Sequence, residues 1–273
     1  MSRDFRSVRI HGRDVRYACE GEGTPVVVID QGQGLSIERG FERSSPLGWT
    51  CVFREIQQST RIIMHDRAGL GASDPAPGPR ASADMVADLR AVLTAARARP
   101  PYVLVGHSVG GFNVRLFAGR HPEEVAGMVL VDSSHPDQVA EIAGLLPAET
   151  AGESSSLRTL RRAPDAALST EAIDFQACAD QARGIVTIGV KPLVVVSQSP
   201  HALGPPGIPL STWERIGVAW TGLQKDLLAL SPLGRHVVAT HAGHYVQAEE
   251  PDLVIDAILS VVREARRIPR RMH

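Results

Sequence analysis

A chain of 273 residues with 29 Lys+Arg against 30 Asp+Glu carries a formal net charge of -1. That balance gives no attraction to nucleic acid or to an acidic membrane surface, and neither is expected as a partner. With 43% hydrophobic and 22% charged residues, the composition is that of a globular protein, long enough for one large α/β domain with a cap or for two small domains. Lysine is confined to Lys191 and Lys225 while arginine and alanine abound, a skew expected of a GC-rich bacterial genome. Cys19, Cys51 and Cys178 lie far apart without metal-ligand spacing, so a reduced, cytoplasmic chain with three small core thiols is expected. The opening residues carry charge throughout and lack the apolar stretch of a signal peptide. No run approaches the roughly 18 apolar residues of a spanning helix.

Phe5 to Ile10 and Asp14 to Glu20 read as a hairpin turning at His11-Gly12. Pro25 to Asp30 is a continuous apolar run, as in a strand buried on both faces of a parallel sheet. A loop Gln31-Gly32-Gln33-Gly34, a helix from Leu47 to Gln58 and a second buried strand, Arg61 to His65, follow. After a turn-rich loop, Asp66 to Pro75, Val86, Leu89, Leu93 and Ala96 recur at helical spacing behind Ser82, a candidate cap. A third strand from Tyr102 to Val105 runs into Gly106-His107-Ser108-Val109-Gly110-Gly111, then a helix through Arg120 and a strand from Gly127 to Asp132. From Ser133 to Val190 the strand pattern stops and only short helical stretches remain. Alternation returns with a strand from Pro192 to Ser197, a helix from Trp213 to Leu230, a strand from His236 to Thr240 and a helix from Pro251 to Ile268. This order predicts a doubly wound, mostly parallel sheet with an antiparallel edge hairpin. Residues 1–132 and 191–273 are expected to form the core domain, and 133–190 a helical lid inserted after the sixth strand. The basic run from Arg266 to Arg271 is expected to be a solvated end.

Gly106-His107-Ser108-Val109-Gly110 fits G-x-S-x-G, a pattern that places a serine on a sharp strand-to-helix turn. The positions two before and two after must be small, or side chains would collide across the turn. The result is an exposed hydroxyl at a strand end, with free helix N–H groups beside it.

With the Asp66 to Ser73 loop and Val129 to Ser133, this segment resembles the α/β-hydrolase superfamily, in particular its serine esterase and lactonase-like branch. Haloalkane dehalogenases and epoxide hydrolases are similar but carry an aspartate at the nucleophile position, so Ser108 implies acyl transfer instead. The resemblance places the base in the loop after the last strand, where Gly243-His244-Tyr245 fits and His241 is the rival. His65 and His121 read as structural or surface residues. The side chain of His107 is expected to point away from Ser108.

Most relatives supply the triad acid after the strand that follows the lid, but Ser197-Gln198-Ser199-Pro200-His201 holds no carboxylate. Some carry it where Asp132 stands, and Asp226 is the alternative. Oxyanion donors are expected from the backbone N–H of Val109 and of Gln33, although Gln31-Gly32-Gln33 replaces the usual His-Gly-x. The Asp66 to Ser73 loop reads as structural. Gly32, Trp49, His107, Phe112 and Tyr245 are candidate pocket residues.

The expected function is hydrolysis of a carboxylic ester or lactone with Ser108 as nucleophile, His244 as base and Asp132 as orienter. No metal or organic cofactor is required by that chemistry. A non-catalytic ligand receptor, or a C–C hydrolase, perhydrolase or lyase with the same triad, are the alternatives.

Overall fold

A computed structural model of the chain describes residues 5–41, 48–162 and 170–267. The expected helix start at Leu47 and the basic end beyond Arg267, with the helix end at Ile268, lie outside these residues.

The hairpin comprises β1 (Arg6–Ile10) and β2 (Arg13–Glu20), with Ile10 opposite Arg13. Both turn residues have positive φ, 48° at His11 and 81° at Gly12, the conformation that matches the strand twist in a two-residue turn. Next come β3 (Val26–Asp30), β4 (Ile62–His65), β5 (Tyr102–His107), β6 (Val125–Val131), β7 (Leu193–Ser197) and β8 (Gly234–Val238). The sheet order is β1-β2-β4-β3-β5-β6-β7-β8, antiparallel through β2/β4 and parallel thereafter. β8 begins two residues earlier than its apolar pattern suggests, because it is an edge strand whose residues are only partly buried.

Helices cover both faces, and the strands show why. Val26 and Val28, Leu104, Met128 and Leu130 pack with α3 (Ser82–Ala95) and α4 (Gly110–Arg120). The alternate residues Val27, Ile29, Val103, Val105, Val129 and Val131 pack with α2 (Thr50–Ser59) and with Val254, Ile258 and Val261 further along the chain. A period of two on strands buried on both faces yields two apolar layers from one sheet. Ser82 does not cap α3; it is the first helical residue, and Asp84 reaches back to accept from the Ala81 N–H at 2.9 Å. A short helix α1 (Ile37–Phe41) was not expected from the pattern, being too brief to show a period. Cys19 and Cys178 are buried, but Cys51 is exposed on α2 and is no core residue.

The stretch between β6 and β7 carries α5 (Gln138–Ala143), α6 (Ser155–Arg162) and α7 (Phe175–Arg183). Phe175, Cys178, Ala179 and Ala182 of α7 are buried against Met85, Val109 and Phe112, so α7 joins the layer of α3 and α4. After β7 come α8 (Leu210–Asp226), a short α9 (Val246–Glu249) and α10 (Pro251–Arg267). Among the described residues no helix is long and apolar enough to cross a membrane.

At the carboxyl end of β4, Asp66 is fully buried and accepts from the Ile37 N–H at 2.6 Å. Burial pushes its carboxyl up to about 7 against the opposing pull of that bond and of Arg16 and Arg67. The folded state therefore holds the proton more tightly than the unfolded chain, whose carboxyl releases it near 3.8. The resulting stability is fully present below that value and lost as pH rises through about 7. Asp66→Asn retains an acceptor for Ile37. Thermal melts from pH 5 to 8 should show the wild-type Tm falling by a few degrees more than that of the variant; parallel curves would refute the assignment.

Candidate active site

Ser108 has φ 52°, a left-handed backbone that costs a non-glycine residue about 1–2 kcal/mol. Its carbonyl accepts from the N–H groups of Gly111 and Ser134, both at 2.9 Å, and its own N–H donates to Val131 O at 3.3 Å. The turn leaves no room for side chains around it. A Cβ on Gly106 would lie 2.7 Å from Gly111 Cα and 2.9 Å from Gly110 O, and one on Gly110 would collide with Asp30 O. The Ser108 side chain is part-exposed, and its hydroxyl makes no hydrogen bond with a described residue.

Asp132 also has a positive φ, 39°, at the end of β6. Its side chain is fully buried and collects three donors. His244 Nδ1 lies 2.7 Å from Oδ2, while Trp220 Nε1 at 2.7 Å and Gln198 N at 2.9 Å donate to Oδ1. A carboxylate on Nδ1 selects the tautomer with its proton there and the lone pair on Nε2. Asp226 lies on the exposed end of α8, away from this contact. His241 is exposed, and its backbone rather than its ring is engaged.

The loop that presents His244 hangs from two carboxylates. Glu250 accepts from the N–H groups of Thr240, His241 and Ala242, and Glu249 from Gly243. Partial burial pushes the Glu250 carboxyl up, but those three donors outweigh it and hold it below its usual value.

His107 is wholly buried and faces this loop. Its Nε2–H donates to His244 O at 3.0 Å, and its ring lies 4.8 Å from that of His244 and 5.7 Å from that of Tyr245. Burial and the neighbouring His244 drive its pKa well below 6.5, so it stays neutral. Trp49 is buried behind it, edge-on at 6.2 Å, and meets the site through His107. Tyr245 is half-buried, with burial raising its phenol pKa. Phe112 is completely buried against Phe175 of α7 at 5.3 Å. His65 is buried, its pKa lowered first by desolvation, and its carbonyl accepts from Gln31 Nε2; His121 packs on Phe117.

The loop after β3 closes the other side. A Cβ on Gly32 would stand 2.8 Å from His107 Nδ1 and 3.3 Å from Ser108 Cβ, so this loop touches the elbow directly. The N–H groups of Gln33 and Val109 bond to no described residue. Arg67, from the loop after β4, is buried beneath, its guanidinium bonded to Asp30, to the Gln31 and Gly32 carbonyls and to Glu171. Trp220, Arg67 and Glu171 carried no sequence signal of a role here, since each sits in an ordinary helix, turn or coil pattern.

Residues 25–183 match the family model of the alpha/beta hydrolase fold. The chain belongs to the α/β-hydrolase family. Uncharacterized protein YqjL of Bacillus subtilis (strain 168) is 25% identical over 244 residues, 89% of this chain and 85% of that protein. A 116-residue stretch is 36% identical to "Probable transporter efuK" of Hormonema carpetanum; it is 41% of this α/β-hydrolase but spans only 15% of that relative's length. A thermophilic esterase from Thermogutta terrifontis superposes with a TM-score of 0.60 at 18% identity, over 97% of this chain and 99% of that one, a likeness of fold.

Gly32→Ala should strain the elbow through His107. We expect a cost of about 1–3 kcal/mol, read as a Tm lower by roughly 2–10 °C. An unchanged melt would mean that the loop can retreat from the elbow freely.

Proposed function

We propose that this α/β-hydrolase is a serine hydrolase cleaving a carboxylic ester or lactone. The observation that carries the reading is the buried Asp132 carboxylate on Nδ1 of His244, in a loop packed on the residue beside Ser108. In this mechanism Nε2 of His244 takes the Ser108 proton as Oγ attacks the carbonyl carbon. The tetrahedral oxyanion receives the N–H groups of Val109 and Gln33. His244 then returns the proton to the leaving alkoxide, leaving an acyl-enzyme. Water, deprotonated by the same nitrogen, releases the acid and restores Ser108. Asp132 holds the imidazole in the required tautomer and stabilises its charged form.

Trp220 and the Gln198 N–H keep the Asp132 carboxylate aimed, since both bond the oxygen that His244 does not use. Residues 133–190 are read as the segment that covers the site, on a core of 1–132 and 191–273. Leu145, Leu146, Leu157, Leu160 and Phe175 give that segment its apolar character.

A fluorophosphonate should add one phosphonyl group to the wild type and none to Ser108→Ala, read by intact mass, with p-nitrophenyl ester turnover lost in the variant. Ligand binding without adduct or Ser108-dependent turnover would instead favour a receptor. In the same assay Asp132→Asn should lower kcat by about 10³–10⁴-fold. Trp220→Phe, which removes one hydrogen bond to a charged group, should lower it by about tenfold.

A further inference from the structure

A buried and fully hydrogen-bonded charge lies outside the pair at His244. The Arg67 side chain is 2% exposed. Its five N–H donors meet five acceptors: Glu171 Oε2 at 2.6 Å from Nε, Asp30 Oδ1 at 2.7 Å and Gln31 O at 2.5 Å from Nη1, Gly32 O at 2.9 Å and Glu171 Oε1 at 3.2 Å from Nη2. Burial would lower the Arg67 pKa, but Glu171 and Asp30 outweigh it and raise it, so the guanidinium stays charged. Asn113 holds the second oxygen of Asp30 at 3.1 Å.

The geometry of the peptide bond turns this cluster into a statement about Gln33. In a trans peptide the C=O and the following N–H point in opposite directions. Arg67 holds the Gly32 carbonyl, so the Gln33 N–H in that peptide plane points away from Arg67. Glu171 Oε1 accepts from the Gly34 N–H at 2.7 Å, which fixes the next plane. Both peptides flanking Gln33 are thereby oriented, one by Arg67 and the other by Glu171, and Glu171 also holds Arg67.

Glu171 arrives from the segment between β6 and β7, yet it is firmly placed. Arg80 N donates to Ala172 O at 2.7 Å, and Asp174 N donates to Arg80 O at 2.8 Å. A Cβ on Gly69 would lie 2.5 Å from Thr170 O, so this stretch rests on the loop that carries Arg67.

We propose that Glu171 is a positioning residue for the oxyanion loop. It fixes the peptide after Gln33 through the Gly34 N–H and orients the Gln33 N–H through Arg67 on the Gly32 carbonyl, so the insertion completes the loop as well as covering the site. The inference rests on the proposed serine-hydrolase reading and adds a residue to it. Residues 170–183 are then a fixed part of the catalytic frame.

The test compares wild type, Glu171→Gln and Glu171→Asp, each normalised by fluorophosphonate titration of competent sites. In Glu171→Gln the amide N–H groups must face either Arg67 Nε–H or the Gly34 N–H, donor against donor. The expected result is a kcat for p-nitrophenyl esters lower by about 10²-fold, with KM within about threefold. A trifluoromethyl ketone, whose hemiketal with Ser108 carries an oxyanion, should bind more weakly by a similar factor. Glu171→Asp keeps the charge and should recover part of both. Unchanged kcat per competent site, or a fall in kcat with ketone affinity unmoved, overturns the positioning role. So does loss of fold in both variants, which would assign Glu171 to stability. A wild type that takes no phosphonyl group would instead strike the hydrolase reading itself.

Discussion

The first turn of α4 presses so closely on the ends of β3 and β6 that only glycine fits. A side chain at Gly110 would enter the Asp30 carbonyl, and one at Gly111 the Ser133 hydroxyl. This approach forces the chain leaving β5 to reverse within one residue, and Ser108 absorbs the reversal with a left-handed backbone. The strain is held by bonds on both sides of that residue, from Gly111 and Ser134 and to Val131. Everything else at this end of the sheet is arranged around the hydroxyl so presented.

Three loops converge there, and each is held by charged side chains. The loop after β3 is held by Arg67, the end of β6 presents Asp132 to three donors, and the His244 loop hangs from Glu249 and Glu250. A charge taken from water is costly unless its hydrogen-bonding capacity is met. The buried Arg67 and Asp132 meet it with side-chain and backbone groups brought in from several elements. Desolvation that would be destabilising in isolation becomes a geometric constraint, and loops without regular structure acquire fixed peptide planes.

His107 joins two of these loops. Its ring lies between Gly32 and His244, with Trp49 behind, so it sets the spacing between the loop after β3 and the His244 loop. Family membership supplies this scaffold without specifying what is cleaved, because one fold hosts many chemistries. Within residues 133–190, α7 is part of the helical layer, and Val139 of α5 packs against the same buried cluster.

The sequence by itself determined the order of strands and helices, the hairpin at the edge and the sharp turn at Ser108. Each is written in local pattern: apolar runs for doubly buried strands, a two-residue turn, and glycines at the positions where a Cβ would collide. Short elements escaped it, since α1 and α9 are too brief to show a period, and the exposed edge strand β8 lacks the apolar bounds that locate a buried one. Only the tertiary structure decided which carboxylate meets His244. The sequence favours Asp132 and keeps Asp226 as the alternative; in the fold β6 ends beside the His244 loop while Asp226 ends an exposed helix turn. The same holds for Trp220, 88 residues from Asp132, and for Glu171, 104 residues from Arg67. Nothing local records such a pairing, because its energy exists only once packing has removed the water between the partners.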